Sequence, residues 1–186
     1  LGLAVWTGFV FLLRPAELCS LKVKDLIFAH QTFDRCGFIT VLLHHHKTLK
    51  SARTGHNVRV FDELLERQLM MLVRDKAPDD LVFGCSPSQF RSRFRVLVQD
   101  LGADASRLTP AGLRSGGAIA LQQSGVPLLE IMWRGRWTSS IVLTHYLRSG
   151  ALASISSWSA DARSRILRFS EGFELLLPSE GSWPRA

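Results

Sequence analysis

Only one stretch of this chain, Asp25 to Phe61, has the texture of a sheet, and that confines the fold more than any other feature. Leu26 to Phe28, Phe38 to Leu43 and Asn57 to Phe61 are rich in β-branched and aromatic residues, and turn-prone stretches separate them. Three such segments in series predict a small three-stranded antiparallel sheet. The basic segment from His44 to Arg53 then forms the hairpin between the last two strands. No strand follows a helix in alternation, so a βαβ fold is excluded, and Gly116-Gly117 lie in a helical pattern and do not form a nucleotide-binding loop.

Helical periodicity fills the rest. Gly2 to Leu13 is uncharged and reads as a buried helix, after which Pro15 opens a short one, Ala16 to Leu21. Asp62 is a capping residue for a helix with Leu65, Leu69, Leu72 and Val73 on one face. Pro87 to Leu101 follows, with Phe90, Phe94, Leu97 and Leu101 inward and Arg91 and Arg95 together on another face. Thr109-Pro110 reads as a cap and first helical residue for a helix ending near Gly125. Pro127 to Trp133, closed by Gly135, and Ser139 to Arg148 are two more. Ile155, Trp158, Ala162, Ile166, Phe169 and Phe173 are spaced for a long amphipathic helix, and Pro178 to Ala186 for a frayed tail. The fold class is therefore mainly α with a small three-stranded antiparallel β-sheet. The boundaries are a domain over 1–177, with 150–177 its C-terminal helix, and a tail over 178–186.

At 186 residues and 46% apolar content the chain carries enough material for one core. Leu1 to Leu13 is too short to span a bilayer, and no basic segment precedes it as in a signal peptide. Opening in mid-pattern, the chain reads as a fragment of a longer protein. Cys19, Cys36 and Cys85 are odd in number and far apart in sequence, which gives neither a disulfide framework nor a zinc spacing and points to a reducing compartment. The net charge of +7 favours an anionic partner. Of the 23 cations eighteen are Arg, whose planar fork grips phosphate in a way that Lys does not. There is one tyrosine, Tyr146, so tyrosine chemistry has one candidate.

Four places could carry chemistry. Arg14 ends an apolar run, and Glu17 stands three residues on, one helical turn away. A half-buried Arg needs such a partner, although an ordinary ion pair has the same spacing. Arg114 is followed by Ser115, Gly116, Gly117 and Ala118, small residues that let a ligand or another helix approach closely. His44-His45-His46 suggests a metal, but successive strand residues point to opposite faces and do not converge on one ion. Lys47, at the hairpin tip, could neutralise phosphate charge and donate a proton. Last, Gly135 to Arg148 gathers a turn, Trp137 and Tyr146 into one short unit, where the aromatic pair could also be plain core.

In this order the elements resemble the catalytic domain of the tyrosine recombinases, or phage integrases, with closing segments most similar to the family's Cre-like members. The family pattern is an Arg with a nearby acidic residue, a hairpin Lys, His-x-x-Arg, a His or Trp, and a nucleophilic Tyr about nine residues later. Arg14 with Glu17 in Leu-Leu-Arg-Pro-Ala-Glu-Leu, Lys47 in Lys-Thr-Leu-Lys-Ser, Arg114, Trp137 in Gly-Arg-Trp-Thr and Tyr146 in Thr-His-Tyr-Leu-Arg match it. The motif histidine is missing: Ala111 stands in its place.

The resemblance implies a DNA breaking-rejoining fold. The two arginines clamp a phosphodiester, Trp137 donates or packs, Tyr146 attacks to give a 3′-phosphotyrosyl enzyme, and Lys47 protonates the departing 5′ oxygen, with no metal and no cofactor. It implies double-stranded DNA as partner, a homo-tetramer on that DNA that passes a C-terminal helix between protomers, and an N-terminal clamping domain not contained in 1–186. It also implies an intracellular place with DNA, not secretion and not a membrane. Lys50, Arg53, Arg91, Arg93, Arg95, Arg134 and Arg136 become candidates for the DNA backbone, each with plain solubility as its alternative. Ala111 keeps a second reading open, a DNA-binding remnant impaired in catalysis. A topoisomerase-like or resolvase-like enzyme of the same chemistry is a third.

Overall fold

The computed structural model describes residues 1–31, 37–44, 56–106, 108–152, 161 and 164. Its elements run α1 (Gly2–Val10), α2 (Pro15–Ser20), β1 (Leu26–Phe28), β2 (Phe38–Leu43), β3 (His56–Phe61), α3 (Glu63–Val73), α4 (Pro87–Asp100), α5 (Gly112–Gln123), α6 (Leu128–Gly135) and α7 (Ser140–Leu152). The sheet is antiparallel in the order β1-β2-β3, with Leu26 opposite Val41 and Val41 opposite Val58. Ile39, Val41, Leu43, Val58 and Val60 alternate inward, as a sheet with one buried face requires. Lys47, Lys50, Arg53, Cys36, most of the proposed C-terminal helix and the tail lie outside the described residues.

Two buried clusters organise the molecule. The larger joins the sheet to α1 to α4 through side chains such as Phe11, Leu13, Leu18, Leu65, Leu69 and Phe90. The smaller, under α5 to α7, consists among the described residues of Leu12, Ala118, Ile131, Leu143 and Leu147. Adjacent residues thus serve different cores, and Leu12 achieves this with a left-handed backbone (φ 53°) just past α1. A bulky L residue there is strained, and burial of its side chain offsets the strain. At the seam, a Cβ on Gly117 would overlap the Phe9 carbonyl and the Leu12 side chain. Gly117 therefore serves the α1–α5 crossing.

Several local expectations are corrected. On α3, Leu65, Leu69 and Val73 are buried, but Leu72 is exposed; on α4, Val98 is buried where Leu97 and Leu101 are only partly so. Thr109 does not cap α5: its carbonyl accepts the Gly112 N–H in a tight turn, and Ala111 occupies the cap position with helical backbone. Gly135 does not supply the left-handed close of α6. That conformation falls to Arg136 (φ 57°, ψ 40°), because Gly135 is needed where Trp137 lies on its α-carbon. Cys19 and Cys85, distant in sequence, are neighbours in the core. Both are free, and burial together with Cys85 pushes the Cys19 thiol up to about 12.

Candidate active site

A cleft of about 560 Å³ opens where the two clusters meet, lined in part by Arg14, Ala111, Arg114, Ser115, Trp137 and Tyr146. Four side chains matched by motif, distributed over 133 positions of sequence, therefore share one cavity, and the residue in the histidine's place faces it too.

Arg14 stands before Pro15 at the start of α2. Glu17 Oε2 accepts the Arg14 backbone N–H at 2.7 Å, and Oε1 accepts Arg14 Nη1 at 2.8 Å, so one carboxylate both caps the helix and pairs with the guanidinium. Burial works to raise the Glu17 carboxyl, but Arg136 and then Arg14 outweigh it, holding the carboxyl below the usual range. Arg114, in the first turn of α5, is buried. Its Nη2 donates to the Gly135 carbonyl, and its guanidinium lies over the Trp137 ring, 4.4 Å from the centroid. Its Nη1 is buried and has no hydrogen-bond acceptor among the described residues. Burial, reinforced by Arg14 and Arg136, brings this guanidinium down to about 10, so it is still a cation at neutral pH. Trp137 and Tyr146 have ring centroids 6.1 Å apart, and Tyr146 is 44% exposed. The phenol therefore stands at the cleft with room to meet a large partner.

The other candidates divide. Arg91, Arg93 and Arg95 are exposed. Arg91 and Arg95 line a recess with Thr109 and Pro110, and Thr109 also lines the cleft, which makes this a continuation of the same surface. Arg93 turns instead to a separate recess beside Leu1 and Asp100. Arg134 is largely covered, its side chain 15% exposed and its Nη2 3.4 Å from Glu130. Arg136 is a correction: its side chain is 2% exposed and pairs with Glu17, so it is not available to a DNA backbone. His44 Nε2 donates to Asp25 Oδ1 at 3.0 Å and lines a different hollow, between Glu17 and Leu43. It does not reach the cleft in place of the missing histidine. Among the described residues no three His, Cys, Asp or Glu side chains are grouped to hold a metal, and no helix is long and apolar enough to cross a membrane.

Two residues behind the cleft escape a reading of the sequence. Arg136 looks like surface charge there, because its role depends on a contact with Glu17 made across the fold. His56 does not stand out at all: its ring lies tilted against Trp133 with centroids 5.0 Å apart, and its buried Nε2 has no hydrogen-bond partner among the described residues. Burial first, then Arg136, lowers its proton affinity. No spacing signal announces either one.

Residues 3–151 match the family model described as the phage integrase family. In fold the chain is similar to a XerH site-specific recombinase bound to difH substrate in a pre-cleavage complex, at 18% identity and TM-score 0.60, covering 84% of this chain and 45% of that one. The post-cleavage complex of XerH on a palindromic difH substrate gives 20% and 0.55, over 82% and 44%. The Tn1549 transposon integrase in complex with transposon right end DNA gives 14% and 0.57, over 90% and 58%. The chain thus spans about half the length of these proteins, and the likeness is one of fold; it does not single out the Cre-like members. No curated protein matches.

Proposed function

The chain belongs to the phage integrase family, and from that premise we propose that it is the catalytic domain of a tyrosine recombinase that cuts and rejoins DNA through a 3′-phosphotyrosyl intermediate. The observation that carries this reading is the shared cleft, where Arg14, Arg114, Trp137 and Tyr146 converge and Arg114 presents a buried donor with no acceptor among the described residues. A nonbridging phosphate oxygen would satisfy that donor. Two guanidiniums facing one anion stabilise the charge that grows on those oxygens as a nucleophile arrives. Trp137 fixes the plane of Arg114 by stacking. Tyr146 Oη would form the bond to phosphorus as the 5′ oxygen leaves, giving up its proton to solvent. Lys47, in the segment between β2 and β3, is the proposed donor to the leaving oxygen. Because the phosphotyrosyl bond keeps the energy of the broken one, rejoining needs no nucleotide triphosphate. Arg91 and Arg95, with Lys50 and Arg53, are proposed contacts to the DNA backbone, and a tetramer on DNA is the proposed assembly.

The test is a pool of nicked duplexes of randomised sequence, on which cleavage near the nick sheds a short fragment and traps the covalent complex. An adduct resistant to denaturant is expected, at least a hundredfold above the Tyr146→Phe protein. No adduct from any pool overturns the enzyme and leaves the DNA-binding remnant. Ala111 favours that second reading, since a methyl group at the cleft wall neither donates nor moves a proton. Ala111→His discriminates: a gain of tenfold or more in adduct rate means a working but impaired site.

A further inference from the structure

Arg136 is a buried cation with three acceptors. Its side chain is 2% exposed, and it donates Nη2 to Glu17 Oε2 at 2.7 Å and to the Leu12 carbonyl at 2.9 Å, and Nη1 to the Arg134 carbonyl at 3.0 Å. Leu12 and Glu17 flank Arg14 on either side. Its neighbours reach the opposite arm: the Gly135 carbonyl accepts Arg114 Nη2, and the Trp137 ring carries the Arg114 guanidinium. One tripeptide therefore touches both arms of the cleft, the backbone and ring holding Arg114 while the side chain between them holds the surroundings of Arg14.

A structural filler does not need this chemistry. The left-handed position closing α6 is met most easily by glycine, and a buried guanidinium loses hydration that an apolar side chain would not. Both costs are accepted here, and the ionic partner is the one carboxylate that also caps α2 and pairs with Arg14. We propose that Arg136 is a positioning residue that, through Glu17, sets Arg14 across the cleft from Arg114 so that both can grip one phosphoryl group. The inference rests on the reading of the cleft as a phosphate site.

The test separates binding from chemistry. Inorganic phosphate is titrated by phosphorus NMR into Tyr146→Phe protein carrying Arg136→Gly, Arg136→Lys, Glu17→Gln, or Arg136→Gly with Glu17→Gln, and adduct formation is followed in the same variants with Tyr146 restored. Melting temperatures are recorded for all. Glycine suits the left-handed backbone, so Arg136→Gly removes the guanidinium without adding backbone strain. The expected result is a loss of phosphate affinity of tenfold or more in Arg136→Gly, partial recovery in Arg136→Lys, and a double variant no worse than Glu17→Gln alone. Affinity within twofold of the parent overturns the inference. So do losses that add in the double variant and track the melting temperature, since the Leu12 and Arg134 bonds survive in the Glu17→Gln protein and would report a purely structural role. If Arg136→Gly does not fold, Arg136→Lys decides: weakened phosphate binding at an unchanged melting temperature supports the inference, and the reverse overturns it. Phosphate binding that depends on Arg136 in a protein forming no adduct would sink the recombinase and spare the inference, whereas an adduct formed at an undiminished rate by every Arg136 variant would do the opposite. No phosphate binding at all overturns the clamp, and the inference with it.

Discussion

The half of the molecule that supplies Arg14 and the half that supplies Arg114, Trp137 and Tyr146 are held together by different means. Around the sheet, buried aliphatic and aromatic side chains from α1 to α4 enclose one another, and the structure rests on area removed from water. Under α5 to α7 the described apolar cluster has five buried side chains, and much of the remaining order is polar or aromatic: Arg114 to the Gly135 carbonyl, Trp137 on Arg114, Arg136 on Glu17. Among the described residues the tyrosine side is thus the less deeply rooted of the two. Its register with the other half is fixed by a few directional contacts at the seam, where the cleft lies.

The sharpest way to break this contrast is to make equal cavities in each core. Leu65→Ala and Leu143→Ala each remove a side chain with no exposed surface, and each should cost about 2–5 kcal/mol. Native-state hydrogen exchange should then separate them: Leu65→Ala accelerates exchange through sheet and helices alike, whereas Leu143→Ala accelerates it in α5 to α7 while the sheet stays protected. Uniform acceleration in both would erase the distinction. A smaller effect, of about 1–3 kcal/mol, is expected for Gly135→Ala, whose Cβ would overlap the Trp137 ring and push it off Arg114. Adduct formation should fall tenfold or more in that variant although the large core is untouched; an unchanged rate would mean that the stacking is incidental. Smallest is the response to acid. The folded Glu17 carboxyl lies below its ordinary value of 4.5, so its stabilisation is complete above that value and disappears as pH falls through the lower, folded one. Unfolding monitored between pH 6 and pH 3 should show a steeper decline for the parent than for Glu17→Gln, and parallel curves would remove Glu17 from the seam.

What is legible in the sequence follows the same division. Strand limits are readable to within one residue because alternation against a buried face leaves a period of two, as in Ile39, Val41 and Leu43. The Arg14 and Glu17 pair is readable because it is made within one turn. Contacts between distant segments leave no such trace. Arg136 looks like any exposed cation, Leu12 and Leu13 give no sign of entering separate cores, and the two explanations of Gly117 are separated only by finding Phe9 against it. The motif arginines and Tyr146 can be named from the order of the motif, but their convergence on one cleft depends on the seam.

The carboxylate of Glu17 also sets an order of assembly. It meets Arg14 three residues away but Arg136 at a separation of 119, and Leu12 meets Arg136 at 124. Local pairs close quickly, while closing a loop of that length comes late, after the intervening chain has collapsed. On a ribosome, where the N-terminal part emerges first, the residues of the sheet and of α1 to α4 are all synthesised before residue 136. One cation of the clamp thus precedes its lock by more than a hundred residues, so the anion-gripping geometry becomes available only once the tyrosine-bearing segment is also there to use it.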